Sequence, residues 1–124
     1  MASNANYNTA VGTLALGKAT SATNNTAVGY HALTEATGSS NTAVGKDALA
    51  TNTTGTENVS VGKEAMLANT TGGSNVAIGQ DAMKANTTAA NNTAVGQNSF
   101  SANTTGASNA AVGKDSLRVN TTGA

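Results

Sequence analysis

The chain has 124 residues, six basic and six acidic side chains that cancel, and no cysteine, proline or tryptophan. A neutral chain without a basic stripe or stacking aromatics has no electrostatic basis for nucleic-acid binding, and without cysteine it has neither disulfides nor thiolate metal sites. Ala, Thr, Asn and Gly make up about three fifths of the residues, and Leu, Ile, Val and Phe number only 17; that proportion alone suits disorder, but the large apolar residues recur in strict register.

Residues 1–7 have no basic start and no apolar run, so they do not read as a signal peptide, and no stretch approaches the ~20 apolar residues of a membrane span. They are expected to form an N-terminal extension or capping strand. From Asn8 onward the chain repeats the phrase Asn-[Thr/Val/Ala]-[Ala/Ser]-[Val/Ile]-Gly seven times, beginning at Asn8, Asn25, Asn41, Asn58, Asn75, Asn92 and Asn109, with spacings of 17, 16, 17, 17, 17 and 17 residues. A unit this small cannot bury its own apolar face and must stack on copies of itself. Residues 8–124 are therefore predicted to be a single all-β domain, a parallel β-solenoid of seven coils.

Within one unit, Thr42-Ala43-Val44 alternates β-branched residues and predicts a short strand. The aliphatic column Val11, Val28, Val44, Val61, Ile78, Val95 and Val112 is expected in the core. Gly12, Gly29, Gly45, Gly62, Gly79, Gly96 and Gly113 follow it, where a corner needs positive φ or coils approach closely. A second segment, Lys46-Asp47-Ala48-Leu49-Ala50 in the third unit, is too short for a stable helix and is expected to be strand or irregular extended chain. It carries a second core column, Leu16, Leu33, Leu49, Met66, Met83, Phe100 and Leu117. Asn-Thr-Thr-Gly then supplies turn chemistry for the return loop. The Asn8-type asparagines should stack into a ladder whose side-chain amides donate to one neighbour and accept from the other, fixing the register.

Asn-Thr-Ala-Val-Gly followed by Ala-Leu and Asn-Thr-Thr-Gly resembles the repeats of phage tail-fibre-like proteins and, in lengthened form, the head repeat of trimeric autotransporter adhesins. The resemblance covers residues 8–124. It implies a left-handed β-roll assembled as a homotrimer, with strand residues filling the roll and the three-fold interface, and the aliphatic and glycine columns above matching the adhesin repeat. The units are longer than the adhesin's, so the Asn-Thr-Thr-Gly loop is an insertion. The chain is expected to be a shaft segment, an excised piece or a filament subunit. One apolar pair per coil also makes a thin core, which favours oligomerisation. Another copy is expected to be able to continue the stack from the end of a unit.

No catalytic constellation is legible and no cofactor is expected. His31 is the sole histidine, at a position held by Leu14, Asp47, Glu64, Asp81, Asn98 or Asp115 elsewhere, and reads as an exposed solenoid-edge residue. The acidic residues lack the Gly-Gly-x-Gly-x-Asp pattern of calcium-binding rolls, so no metal is expected. Lys46-Asp47, Lys63-Glu64 and Lys114-Asp115 read as weakly paired edge charges. Asn52, Asn69, Asn86, Asn103 and Asn120 each head an Asn-Thr-Thr triplet, a glycosylation acceptor pattern, although turn geometry is the preferred reading. The expected function is that of an extracellular, cell-surface or virion fibre or adhesin shaft whose partners are further copies of itself, with a cell-surface or glycan ligand as a further candidate. The alternatives are an ice-binding solenoid using Thr ladders and a glycan-binding tail-spike segment.

Overall fold

The computed structural model describes residues 5–123 as a parallel β-solenoid. Each repeat contributes one three-residue strand: β1 Thr9–Val11, β2 Thr26–Val28, β3 Thr42–Val44, β4 Val59–Val61, β5 Val76–Ile78, β6 Thr93–Val95 and β7 Ala110–Val112. They stack in chain order into one sheet, each pair parallel and residue for residue in register, so that Thr42 pairs with Val59 and Val44 with Val61. The 16-residue repeat keeps the register, with Thr26 paired to Thr42. Its missing residue is absorbed in the return loop, where the Thr37 and Gly38 N–H groups both donate to the Thr53 carbonyl at 2.7 and 2.8 Å. At ~4.8 Å per strand, β1 and β7 lie ~29 Å apart. No helix occurs among the described residues.

The second segment forms no strand; it is a run of turns. In the third coil the Ala48 N–H donates to the Gly45 carbonyl and the Asn52 N–H to the Leu49 carbonyl, while Asp47 and Leu49 take left-handed φ values of 56° and 50°. Asp47 N–H bonds to the Tyr30 carbonyl of the preceding coil and Leu49 N–H to the Ala65 carbonyl of the next. A left-handed residue at every second position thus turns alternate N–H groups toward opposite neighbours, and the segment is tied into the stack without β geometry.

The interior is narrow, and the aliphatic column is not in it. The central strand residue is the one that points inward: Ala27, Ala43, Ser60, Ala77 and Ala94 have no exposed surface, whereas Val11, Val44, Ile78 and Val112 stand outside, with exposures of 58, 36, 40 and 72%. Val28, Val61 and Val95 are half-buried on the same outward side. Period-two alternation gives a three-residue strand one inward side chain and two outward ones, and the narrow interior receives the small residue. In the Leu column, Leu33, Leu49, Met66, Met83 and Phe100 are fully buried, as are the small residues that precede them, Ala32, Ala48, Ala65, Ala82 and Ser99. Leu16 is half-buried and Leu117 45% exposed, because each lies in a terminal coil with a neighbour on one side only.

Gly62 shows what the corner demands. Its φ is +136°, and a Cβ there would sit 2.6 Å from the carbonyl carbon and oxygen of Gly79 in the next coil. Both the dihedral and the close approach of coils exclude a side chain. The N-terminal extension is itself part of the stack: Asn24 N–H donates to the Asn6 carbonyl at 3.2 Å, as Ser40 N–H does to the Thr23 carbonyl at 3.0 Å one coil later. Residues 5–7 therefore run as the closing loop of a coil, in register with the repeats; the first four residues and Ala124 lie outside the described residues.

Candidate functional site

The Asn8-type ladder forms, with a different wiring from the amide-to-amide chain expected. Each Oδ1 accepts the backbone N–H of the next asparagine, from Asn8 to Asn25 (2.8 Å) up to Asn92 to Asn109 (2.9 Å). Each Nδ2 donates across the coil to a return-loop carbonyl, as from Asn41 to Gly55 and Asn58 to Gly72, both 2.9 Å. Direct amide-to-amide donation is secondary, at 3.1 to 3.2 Å for Asn58, Asn75 and Asn109. The backbone N–H entering each strand is the group left without a sheet partner, and the Oδ1 one coil away satisfies it.

A second ladder occupies the positions read as glycosylation acceptors. Asn52, Asn69, Asn86 and Asn103 have no exposed surface. Their amides form the true amide-to-amide chain, Asn69 to Asn52 and Asn86 to Asn69 at 2.9 Å and Asn103 to Asn86 at 3.0 Å. Each also closes its own turn, Asn52 donating to Gly55 at 3.0 Å. A glycan on these nitrogens is incompatible with the fold; Asn120, in the last coil, is half-buried, and its Oδ1 accepts from Gly123 N–H at 3.0 Å. The first threonine of the triplet is also engaged: Thr53 and Thr70 hydroxyls donate to the Thr70 and Thr87 carbonyls at 2.9 and 3.1 Å. These hydroxyls hold coils together and do not form a free array.

What remains displayed is the outer face of the sheet. Its first column is Thr9, Thr26, Thr42, Val59, Val76, Thr93 and Ala110, and its second is the aliphatic column running from Val11 to Val112. Ten of these fourteen side chains are apolar and the other four are threonine. The margins are polar, with Asn24, Ser40, Glu57, Ser74, Asn91 and Ser108 on the entry side and Tyr30, Lys46, Lys63, Gln80, Gln97 and Lys114 on the exit side. An apolar strip with a polar rim is the anatomy of a contact surface.

The charged edge is self-neutralising. Lys46–Asp47 and Lys63–Glu64 pair as expected, at 3.5 and 3.3 Å, while Asp115 pairs with Arg118 at 3.8 Å instead of with Lys114. Lys84 links two coils through Glu64 at 2.6 Å and Asp81 at 3.1 Å. Hydrogen bonds from Lys84 and then Lys63 hold the Glu64 carboxyl below its ordinary value, and the bonds to Glu64 and then Asp81 raise Lys84. An open groove beside this edge, between Leu67, Ala68, Ala85, Ser101 and Arg118, therefore presents Asp81 already paired. His31 is half-buried instead of exposed, its ring 4.0 Å from that of Tyr30, with Nδ1 3.5 Å from the Asp47 carboxylate. Its Nε2 is buried without a hydrogen-bond partner. Among the described residues no group of three His, Cys, Asp or Glu side chains is placed to hold a metal. Comparison with protein-family models, curated proteins and solved structures finds no match to this chain.

Proposed function

We propose that the chain is a structural shaft segment of an extracellular or virion fibre, of the tail-fibre or adhesin type its repeats resemble, and that it assembles as a homotrimer through the outer sheet face. The supporting observation is the in-register column of Val and Ile side chains left outside the coil, bounded by polar margins. Seven strands at ~4.8 Å and a width of four residue steps give a face of ~34 by ~13 Å, or ~440 Å². Two copies face to face would bury about 900 Å² in total, short of the ~1,200 Å² at which specific interfaces begin. A three-fold arrangement gives each chain two neighbours instead of one and encloses the Val column at the axis.

Val61→Lys tests this reading, because its side chain points outward from the central strand β4. The unaltered chain should scatter light as a species of about 36 kDa, three times the 12.0 kDa protomer. The variant should run as a monomer with an unchanged far-ultraviolet spectrum. A 12.0 kDa unaltered chain at high concentration would reject the assembly. The same face favours one second reading, ice binding, because Thr9, Thr26 and Thr42 lie on it at strand spacing, with Thr93 three strands further on. Thermal hysteresis from a monomer would select that reading over the shaft.

A further inference from the structure

We propose that Glu57 of one copy pairs with Lys63 of the next, fixing an assembly in which all chains point the same way and equivalent coils share one level. The inference rests on the sheet-face reading above and specifies how the copies meet. Strand β4 is entered at Glu57 and left at Lys63. The intervening residues 58–62 span ~13 Å, so the two side chains lie on opposite margins of one chain and cannot meet within it. Glu57 is exposed and is the only charged residue in the entry-margin column. One of its oxygens accepts from the Ser74 hydroxyl at 3.1 Å, which leaves the other open. The Lys63 side chain is 53% exposed and its one ion pair among the described residues is with Glu64, at 3.3 Å; an ammonium has three donors.

Symmetry decides what faces what. Rotation about an axis along the stack lays the entry margin of one copy against the exit margin of its neighbour at the same level, which brings Glu57 to Lys63. A two-fold axis across the stack lays like margin on like, and because β4 is the middle strand of seven it maps onto itself. Glu57 would then face Glu57 and Lys63 would face Lys63, a repulsive pairing at both margins. Sliding one copy by a coil would set Glu57 against Lys46, but a slid contact cannot close into a ring.

The chain has no cysteine, so introduced thiols report alone, and a disulfide forms only where Cα atoms come within about 7 Å. Oxidised E57C/K63C should run as a covalent trimer on a denaturing, non-reducing gel, while E57C and K63C singly stay monomeric on it. Covalent dimers from either single variant would overturn the proposal, as would an uncrosslinked double variant that still scatters light as a trimer. A monomer by light scattering would overturn this inference together with the assembly beneath it. A covalent dimer from E57C/K63C alone would uphold the pairing and refute the three-fold. Charge identity is read separately: E57K should raise the dissociation midpoint about 3- to 10-fold, and E57K/K63E should restore it. Equal weakening in both would overturn the ion pair.

Discussion

Asn58→Ala isolates what the first ladder contributes. Asn58 Oδ1 accepts the Asn75 N–H at 3.0 Å and the Asn75 amide at 3.2 Å, and its Nδ2 donates to the Gly72 carbonyl at 2.9 Å and Asn41 Oδ1 at 3.1 Å. Alanine leaves the buried Asn75 N–H without that acceptor, while the Gly72 carbonyl keeps its second donor, Asn69, at 3.0 Å. The orphaned N–H costs about 1–3 kcal/mol and the vacated volume about 1 more, so a loss of about 3 kcal/mol is expected. With an unfolding entropy of about 2.1 cal/mol/K per residue, that lowers Tm by about 12 °C. Thermal and urea unfolding followed by circular dichroism measure both quantities. Asn69→Ala strands no backbone N–H and should cost about half as much. The ordering is the test: a larger loss for Asn69→Ala, or an Asn58→Ala within about 0.5 kcal/mol of the exposed control Thr88→Ala, refutes the assignment of the strand-entry N–H to this ladder.

Gly62→Ala should abolish folding or cost more than about 4 kcal/mol, because strain at φ +136° adds to collision with Gly79, whereas Gly113→Ala meets open space and should carry only the dihedral cost. Refolding yield and urea midpoints of the two variants check this. Ser40 has φ 62° and is exposed; Ser40→Asn should raise stability by a few tenths of a kcal/mol, measurable as a higher urea midpoint, because asparagine tolerates the left-handed region better. Glu64 has a folded pKa depressed below 4.5 by Lys84 and Lys63, so its pairing stabilises the fold above that value and is lost as pH falls through the lower folded value. Glu64→Gln should therefore flatten the acid limb of the stability profile below about pH 4.5 and leave the shape above it unchanged.

The period, the strand positions, the corner glycines and the Leu column were legible because each repeats at one place in the unit and each has a local physical cause. The aliphatic column was misplaced because alternation separates two faces without saying which is inside. The discriminating signal was the size of the third position, always Ala or Ser from Ala10 to Ala111, which suits a bore too narrow for valine. The second ladder was missed because Asn-Thr-Thr-Gly carries turn chemistry as well. Its signal lay in the first two coils, where Ala19 and Ala36 replace the asparagine; a column that accepts alanine and, at Ala36, buries it completely is an interior column. The left-handed φ at Leu49 and its equivalents was not legible at all. Leucine is a poor resident of that region, and the cause is the hydrogen bonding of neighbouring coils, which lies outside the local sequence.

That dependence on neighbours sets how much of the chain folds as a unit. Between Asp47 and Glu57 one coil holds three non-glycine residues in left-handed conformation, with φ 56°, 50° and 59° at Asp47, Leu49 and Glu57. At about 1–2 kcal/mol each, a coil carries about 3–6 kcal/mol of backbone strain. The bonds that offset it are between coils, such as Asp47 N–H to the Tyr30 carbonyl and Leu49 N–H to the Ala65 carbonyl, and an isolated coil has neither. Strain grows with the number of coils n, while stabilising contacts grow as n minus one, so short stacks are penalised most. A fragment of residues 41–74, two coils, should lack ordered circular dichroism, and residues 25–108, five coils, should unfold cooperatively. A cooperative melt from the two-coil fragment would mean that the strain is satisfied within a coil, and the nearest-neighbour account of this stack would fail.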